Sequence, residues 1–169
     1  MDQTIAILNQ LARERVIAQY ALGGAVALLF YTEPANTYDL DVFCLLSADF
    51  GLLITLKPIY DWLRLRGFVE DREHVLIHGI PVQFIPAYND LVTEAVAQAN
   101  ERSFQNVPVR VVRLEHLLAI MVQTGRTKDR LRALQVTEEA EYDRNSFAEI
   151  LQRHGLASRW QTWQIQADE

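Results

Sequence analysis

Thr37-Tyr38-Asp39-Leu40-Asp41-Val42-Phe43-Cys44-Leu45-Leu46 opens on two aspartates separated by one residue and then runs apolar. Such a run reads as a strand over Asp39–Leu46, buried on both faces. Alternate residues of a strand share a face, so the Asp39 and Asp41 carboxylates point the same way. Leu40 and Val42 point the other way, into a core. Two carboxylates held side by side repel each other unless a cation or basic group sits between them. A divalent ion with oxygen ligands is the natural partner. Mg²⁺ (or Mn²⁺) takes one or two protein carboxylates and completes its shell with substrate phosphates.

Upstream, Glu33-Pro34-Ala35-Asn36-Thr37 is a turn-rich loop. Before it, Tyr20 to Leu22 is short and apolar and runs into Gly23-Gly24, and Ala25 to Phe30 favours helix. The order is strand, glycine turn, helix. Side chains are missing where a phosphate must approach the backbone, and the first N–H groups of a helix point at an anion. One loop can hold phosphates and one strand the metals that bridge them, which is equipment for phosphoryl or nucleotidyl transfer.

Working outward, Ile5, Leu8, Leu11 and Ala12 recur at helical spacing and set out an amphipathic helix over residues 2–16. Downstream, residues 53–66 have helical periodicity with Gly67 as C-cap. Phe68–His78 and Ile80–Pro86 read as strands of a hairpin around Gly79. Residues 89–99 read as a helix capped by Asn89 or Asp90, and Val107–Val112 as a strand. Helices are expected over Leu114–Gln123, from Lys128 to about Leu134, and over Asp143–His154. The polar tail holds Trp160 and Trp163, which suit packing against the core. The sum is an α/β fold (α+β in some schemes): a mixed sheet of about five strands with flanking helices and a helical C-terminus.

The 169 residues suit one domain, with a core of about 18–113 and a helical extension of about 114–169. Half the residues are hydrophobic, enough for a sizeable core. A net charge of −6 argues against a general nucleic-acid coat protein. One cysteine, Cys44, allows no internal disulfide and fits a reducing compartment. The N-terminus lacks the basic start and apolar core of a signal peptide. The apolar stretch Tyr20–Tyr31 is too short to span a bilayer. The expected location is cytoplasmic, with no membrane association.

Ala21-Leu22-Gly23-Gly24-Ala25, followed by Thr37-Tyr38-Asp39-Leu40-Asp41-Val42, resembles the signature of the nucleotidyltransferase superfamily: a glycine pair, a spacer, then Asp-hydrophobic-Asp on a strand. The small bacterial group near the abortive-infection toxin nucleotidyltransferases is the nearest in flavour. Gln123-Thr124-Gly125-Arg126-Thr127-Lys128-Asp129-Arg130 is similar to their Gly-Arg-x-Lys-Asp helix start. The resemblance covers about residues 18 to 135. It implies that Asp39 and Asp41 bind the metal ions, that Gly23 and Gly24 cradle the triphosphate of an NTP, and that Thr37 steadies the metal loop. Arg126 and Lys128 then meet phosphate charge, with Asp129 orienting Lys128. The acceptor is an RNA end, a protein or a small molecule, and a cognate antitoxin is an implied partner.

The pattern breaks at three places, one of them near Arg132, where an aspartate is often found a turn after Lys-Asp. Relatives carry a third carboxylate on a later strand, where Ile80-Pro81-Val82-Gln83-Phe84-Ile85-Pro86 has Gln83. Its amide oxygen can coordinate or hydrogen-bond, and it cannot act as a general base. A lysine common before Gly-Arg is replaced by Met121. Two readings stay open: an enzyme that works without that base, or a nucleotide-binding or partner-binding module that retains the fold.

Other signals are weaker. His74 and His78, four apart on a strand, lie ~13 Å from each other at the standard rise, which disfavours a zinc site. His116 and His154 are expected on helix surfaces. Arg126, Lys128, Arg130 and Arg132 form a basic cluster beside Arg110 and Arg113, either a solvated face or a phosphate or RNA contact. Glu138, Glu139, Glu141 and Asp143 suit a solvated linker.

Overall fold

A computed structural model describes residues 1–32, 39–47 and 55–167 of the chain. Helix α1 (Asp2–Arg13) buries Ile5, Leu8 and Leu11, the residues whose spacing sets it out. It stops short of residue 16 because Arg15, at φ 58°, turns the chain toward β1 (Ile17–Leu22). Then come α2 (Gly24–Leu28), β2 (Leu40–Leu46) and α3 (Lys57–Arg64). The expected start of α3 at Leu53 lies outside the described residues.

The stretch 68–78 is not one strand. It splits into β3 (Val69–Asp71) and β4 (His74–Ile77), joined through Arg72 at φ 57°. No glycine announces that turn. β5 (Ile80–Pro86) closes the expected hairpin through His78 and Gly79, both at positive φ as a type I′ turn requires. Helix α4 (Asp90–Ala97) is capped by Asn89, whose Oδ1 accepts from the Val92 N–H at 2.9 Å. β6 (Asn100–Phe104) is an addition to the expected elements. It folds back on β7 (Val107–Val111) through Gln105 and Asn106, again at positive φ.

The sheet therefore has seven strands, in the order β3-β4-β5-β2-β1-β7-β6, where about five were expected. β1 runs antiparallel to β2 and parallel to β7, and β2 runs parallel to β5. Strand parity then assigns the faces. Tyr20 turns toward α1, its hydroxyl donating to Asn9 Oδ1 at 2.7 Å. Ala21, one residue on, faces the opposite way and pairs with Phe43. Phe43 shares its face with Asp41, so the aspartates stand on the side of the sheet away from α1.

Four helices complete the chain: α5 (Leu114–Thr124), α6 (Thr127–Glu139), α7 (Arg144–Arg153) and α8 (Ala157–Ile165). α6 runs past Leu134 and takes in Glu138 and Glu139, and Asp143 caps α7 by accepting from the Ser146 N–H at 3.0 Å. The acidic stretch is thus helix end and cap, with exposed Glu141 in the short link between α6 and α7. Helix α8 packs on α6 and α7. Trp160 and Trp163 are buried there, with Trp160 edge-on to Phe147 at 5.3 Å. No described helix is long and apolar enough to cross a membrane.

Candidate active site

The glycine turn and the aspartate strand are built for each other. The Gly23 N–H donates to the Asp41 carbonyl at 2.8 Å, which fastens the turn to β2. Gly24 sits at φ 57°, and a Cβ there would overlap the Asp41 carboxylate. A Cβ on Gly23 would overlap the Phe43 ring. Both positions need glycine because β2 comes so close. The helix that follows is shorter than the expected Ala25–Phe30, with five residues from Gly24. So short a helix carries little macrodipole, and any anion here would meet the turn's backbone rather than a strong helix end.

Asp39 stands exposed just before β2, and Asp41 is half-buried within it. Burial and the neighbouring Asp39 both push the Asp41 carboxyl above its ordinary value. His74, Arg126 and Lys128 pull it back down. A divalent cation bound between the two carboxylates would offset both the burial of the Asp41 charge and its repulsion by Asp39. No group of three His, Cys, Asp or Glu side chains gathers to hold a metal among the described residues. Two carboxylates still suit Mg²⁺ whose remaining ligands come from phosphate oxygens and water.

Across the sheet, Asp41 is level with Gln83 on β5. The position where a third carboxylate was sought is therefore beside the aspartates, occupied by an amide. The β4–β5 ladder sets Val75 opposite Val82, and one step along it His74 comes level with Gln83. His74 in turn pairs with Asp71 on β3. Asp41, Gln83, His74 and Asp71 thus form one row on one face. His78, by contrast, lies in the β4–β5 turn against the Phe68 ring, at 5.4 Å. The i,i+4 spacing drew attention to the pair, while the register picks out His74 alone.

The facing wall is the α5–α6 junction, which brings Met121, Arg126, Lys128 and Arg132 to the cleft. Gly125 ends α5 at φ 75°. Arg159 on α8 locks that turn, its Nη1 donating to the carbonyls of Val122 (3.0 Å) and Gln123 (2.9 Å). Asp129 does not orient Lys128. Its carboxylate accepts from Arg126 Nε at 2.7 Å and Nη2 at 3.3 Å. Sheet and junction enclose an open cleft of about 1230 Å³, in which Asp39, Asp41, Gly24 and His74 face the basic residues. Tyr88 stands at its rim, 55% exposed.

The basic cluster does not hold together as one patch. Arg110 is occupied by the carbonyls of Tyr20, Val96 and Ala97, and Arg113 by Ser146 and Glu115. His116 and His154 are not surface residues. Both bond to Glu94 through Nε2, at 3.1 Å and 2.9 Å, and His116 is fully buried. Cys44 is core, and burial pushes its thiol up to about 12. Thr37 lies outside the described residues.

Among solved structures the chain resembles nucleotidyltransferases. The antibiotic-resistance factor ANT(2'')-Ia in solution aligns over 99% of this chain and 92% of its own, at TM-score 0.50 and 13% identity. An antigenic nucleotidyltransferase-like protein from Paracoccidioides brasiliensis aligns over 80% of this chain and 72% of its own, at TM-score 0.53 and 15% identity. The fold is that of the nucleotidyltransferases. A crystal structure of ANT(2'')-Ia with adenylyl-2''-tobramycin aligns over 99% of both chains at TM-score 0.48 and 13% identity. No protein-family model and no curated protein matches the sequence.

Proposed function

We propose that this protein is a metal-dependent nucleotidyltransferase that moves a nucleotide from an NTP to an acceptor hydroxyl. The observation that carries the reading is the pairing of Asp39 and Asp41 with the Gly23-Gly24 turn at the floor of a cleft whose other wall is basic. Asp39 and Asp41 hold the metal. A bound Mg²⁺ or Mn²⁺ supplies charge neutralisation and orientation at the transferring phosphate. Gly23 and Gly24 let the triphosphate approach the backbone. Arg126, braced by Asp129, and Lys128 offset phosphate charge from α6, and Tyr88 offers a ring for the base to stack on. Catalysis is then mostly positioning and charge stabilisation. The acceptor oxygen forms a bond to the α-phosphorus as the bond to pyrophosphate breaks. The lone buried Cys44 supports a reducing, cytoplasmic setting. The Gly-Arg-x-Lys-Asp stretch supports an abortive-infection kinship with a cognate antitoxin, and the basic residues about it support an RNA acceptor.

The test supplies α-labelled NTP and Mg²⁺ with total RNA, a protein extract and tobramycin as acceptors. Wild type is expected to transfer label and release pyrophosphate, and Asp39→Asn and Asp41→Asn to stay folded and inactive. Full transfer by either variant would remove the site from this cleft. A second reading, a nucleotide-binding module without chemistry, draws on Gln83 and Met121. It expects Mg²⁺-dependent ATP binding with no pyrophosphate release under any acceptor.

A further inference from the structure

The proposed reaction needs a group to take the acceptor's proton, and Gln83 cannot do it. Three strands of one sheet supply an alternative. β4 sets His74 beside Gln83, on the side away from Asp41. Two strand spacings, about 10 Å between backbones, separate His74 from Asp41. Gln83 stands between them in the row, and His74 and Asp41 both line the cleft. The charged groups that line the cleft with His74 are Asp71, Arg72 and Glu73 of the β3–β4 hairpin, Asp39 and Asp41 at the start of β2, and Arg126, Lys128, Asp129 and Arg132 at the α5–α6 junction. Asp71 and Glu73 are exposed, and His74 is half-buried. A solvated carboxylate is a weak base at neutral pH, whereas an imidazole is matched to it.

We infer that His74 is the proton acceptor of the transfer, standing one strand beyond the place of the missing carboxylate. The inference rests on the nucleotidyltransferase reading above. In the step, the acceptor oxygen bonds to the α-phosphorus and its proton passes to the His74 ring. The bond to the leaving pyrophosphate breaks, and pyrophosphate departs with that electron pair. His74 then returns the proton to solvent.

The experiment compares wild type, His74→Gln and His74→Ala. The reaction uses α-labelled ATP and Mg²⁺, with total RNA, tobramycin and water as acceptors. Calorimetry measures binding of a non-hydrolysable ATP analogue alongside. Expected is analogue affinity within two-fold of wild type and turnover lower by about 10²–10⁴ in both variants. His74→Gln should also lose the acid limb of the pH–rate profile, and free imidazole should restore part of the His74→Ala turnover. His74→Gln turnover within three-fold of wild type, with an unchanged pH profile, overturns the inference and leaves the proposed function standing. Equal losses of affinity and turnover also overturn it, assigning His74 to nucleotide binding. A wild type that neither binds the analogue nor releases pyrophosphate sinks the function reading and this inference with it.

Discussion

Gly24→Ala tests whether the glycine turn serves the aspartates. Two costs add. An alanine at φ 57° carries the left-handed penalty, about 1–2 kcal/mol. Its Cβ would also overlap the Asp41 carboxylate, and relieving such an overlap costs about 1–3 kcal/mol. The total is about 3 kcal/mol, which for a chain of this size lowers Tm by roughly 6–12 °C. The two costs separate in a double-mutant cycle. Asp41→Ala removes the carboxylate and leaves its own Cβ, which the new methyl would meet at 3.0 Å. In that background Gly24→Ala should cost about 1.5 kcal/mol, so the coupling between the sites is about 1.5 kcal/mol. Urea unfolding of the four proteins, followed by circular dichroism, gives every term. Additive costs, with no coupling, would mean that the turn accommodates the methyl without moving Asp41, and the geometric account of the site would be wrong.

Other perturbations have equally definite outcomes. Asp41 sits above its ordinary value, so its ionisation costs stability as pH rises through the usual carboxylate range. Asp41→Asn should therefore melt higher than wild type at pH 7.5, and the gain should vanish near pH 3. Glu94 has the opposite sign. Arg153 first, then His154 and His116, hold its carboxyl down at about 2 against an ordinary 4.5. A shift of that size corresponds to about 3 kcal/mol, and the half-exposed Arg153 screens it to about 1–2 kcal/mol. Glu94→Gln should lose that amount at pH 7, the deficit closing as pH falls from 4.5 through about 2. A deficit constant across that window would sink the assignment. Trp160→Ala should cost about 3–5 kcal/mol by emptying the contact with Phe147, read by calorimetric melting.

Asp39, Asp41 and the glycine pair were legible because they depend only on local rules. Strand parity puts the carboxylates together whatever the sheet order, and glycine before an apolar run marks a close approach. Gln83 was legible as a departure, and register confirms its place beside Asp41. The place of His74 in that row was not, because it comes from two ladders that join β4 to β2 through β5. Nothing in a single strand's periodicity encodes that neighbourhood. β6 hid for a related reason. Asn100-Glu101-Arg102-Ser103-Phe104 has no apolar alternation, and the strand exists because the Gln105-Asn106 turn lays it against β7. Buried His116 was equally illegible, since its burial depends on Glu94 arriving from a different helix.

The Arg159 lock has a consequence for synthesis. Both aspartates, the glycine turn and the sheet emerge from the ribosome before α8 does. The turn that aims Arg126 and Lys128 across the cleft is fastened to α8 by the Arg159 side chain. A nascent chain still short of Arg159 carries the acidic floor without its locked basic wall. The wall is therefore locked only once α8 has been made, and a truncated product that lacks α8 leaves it unlocked.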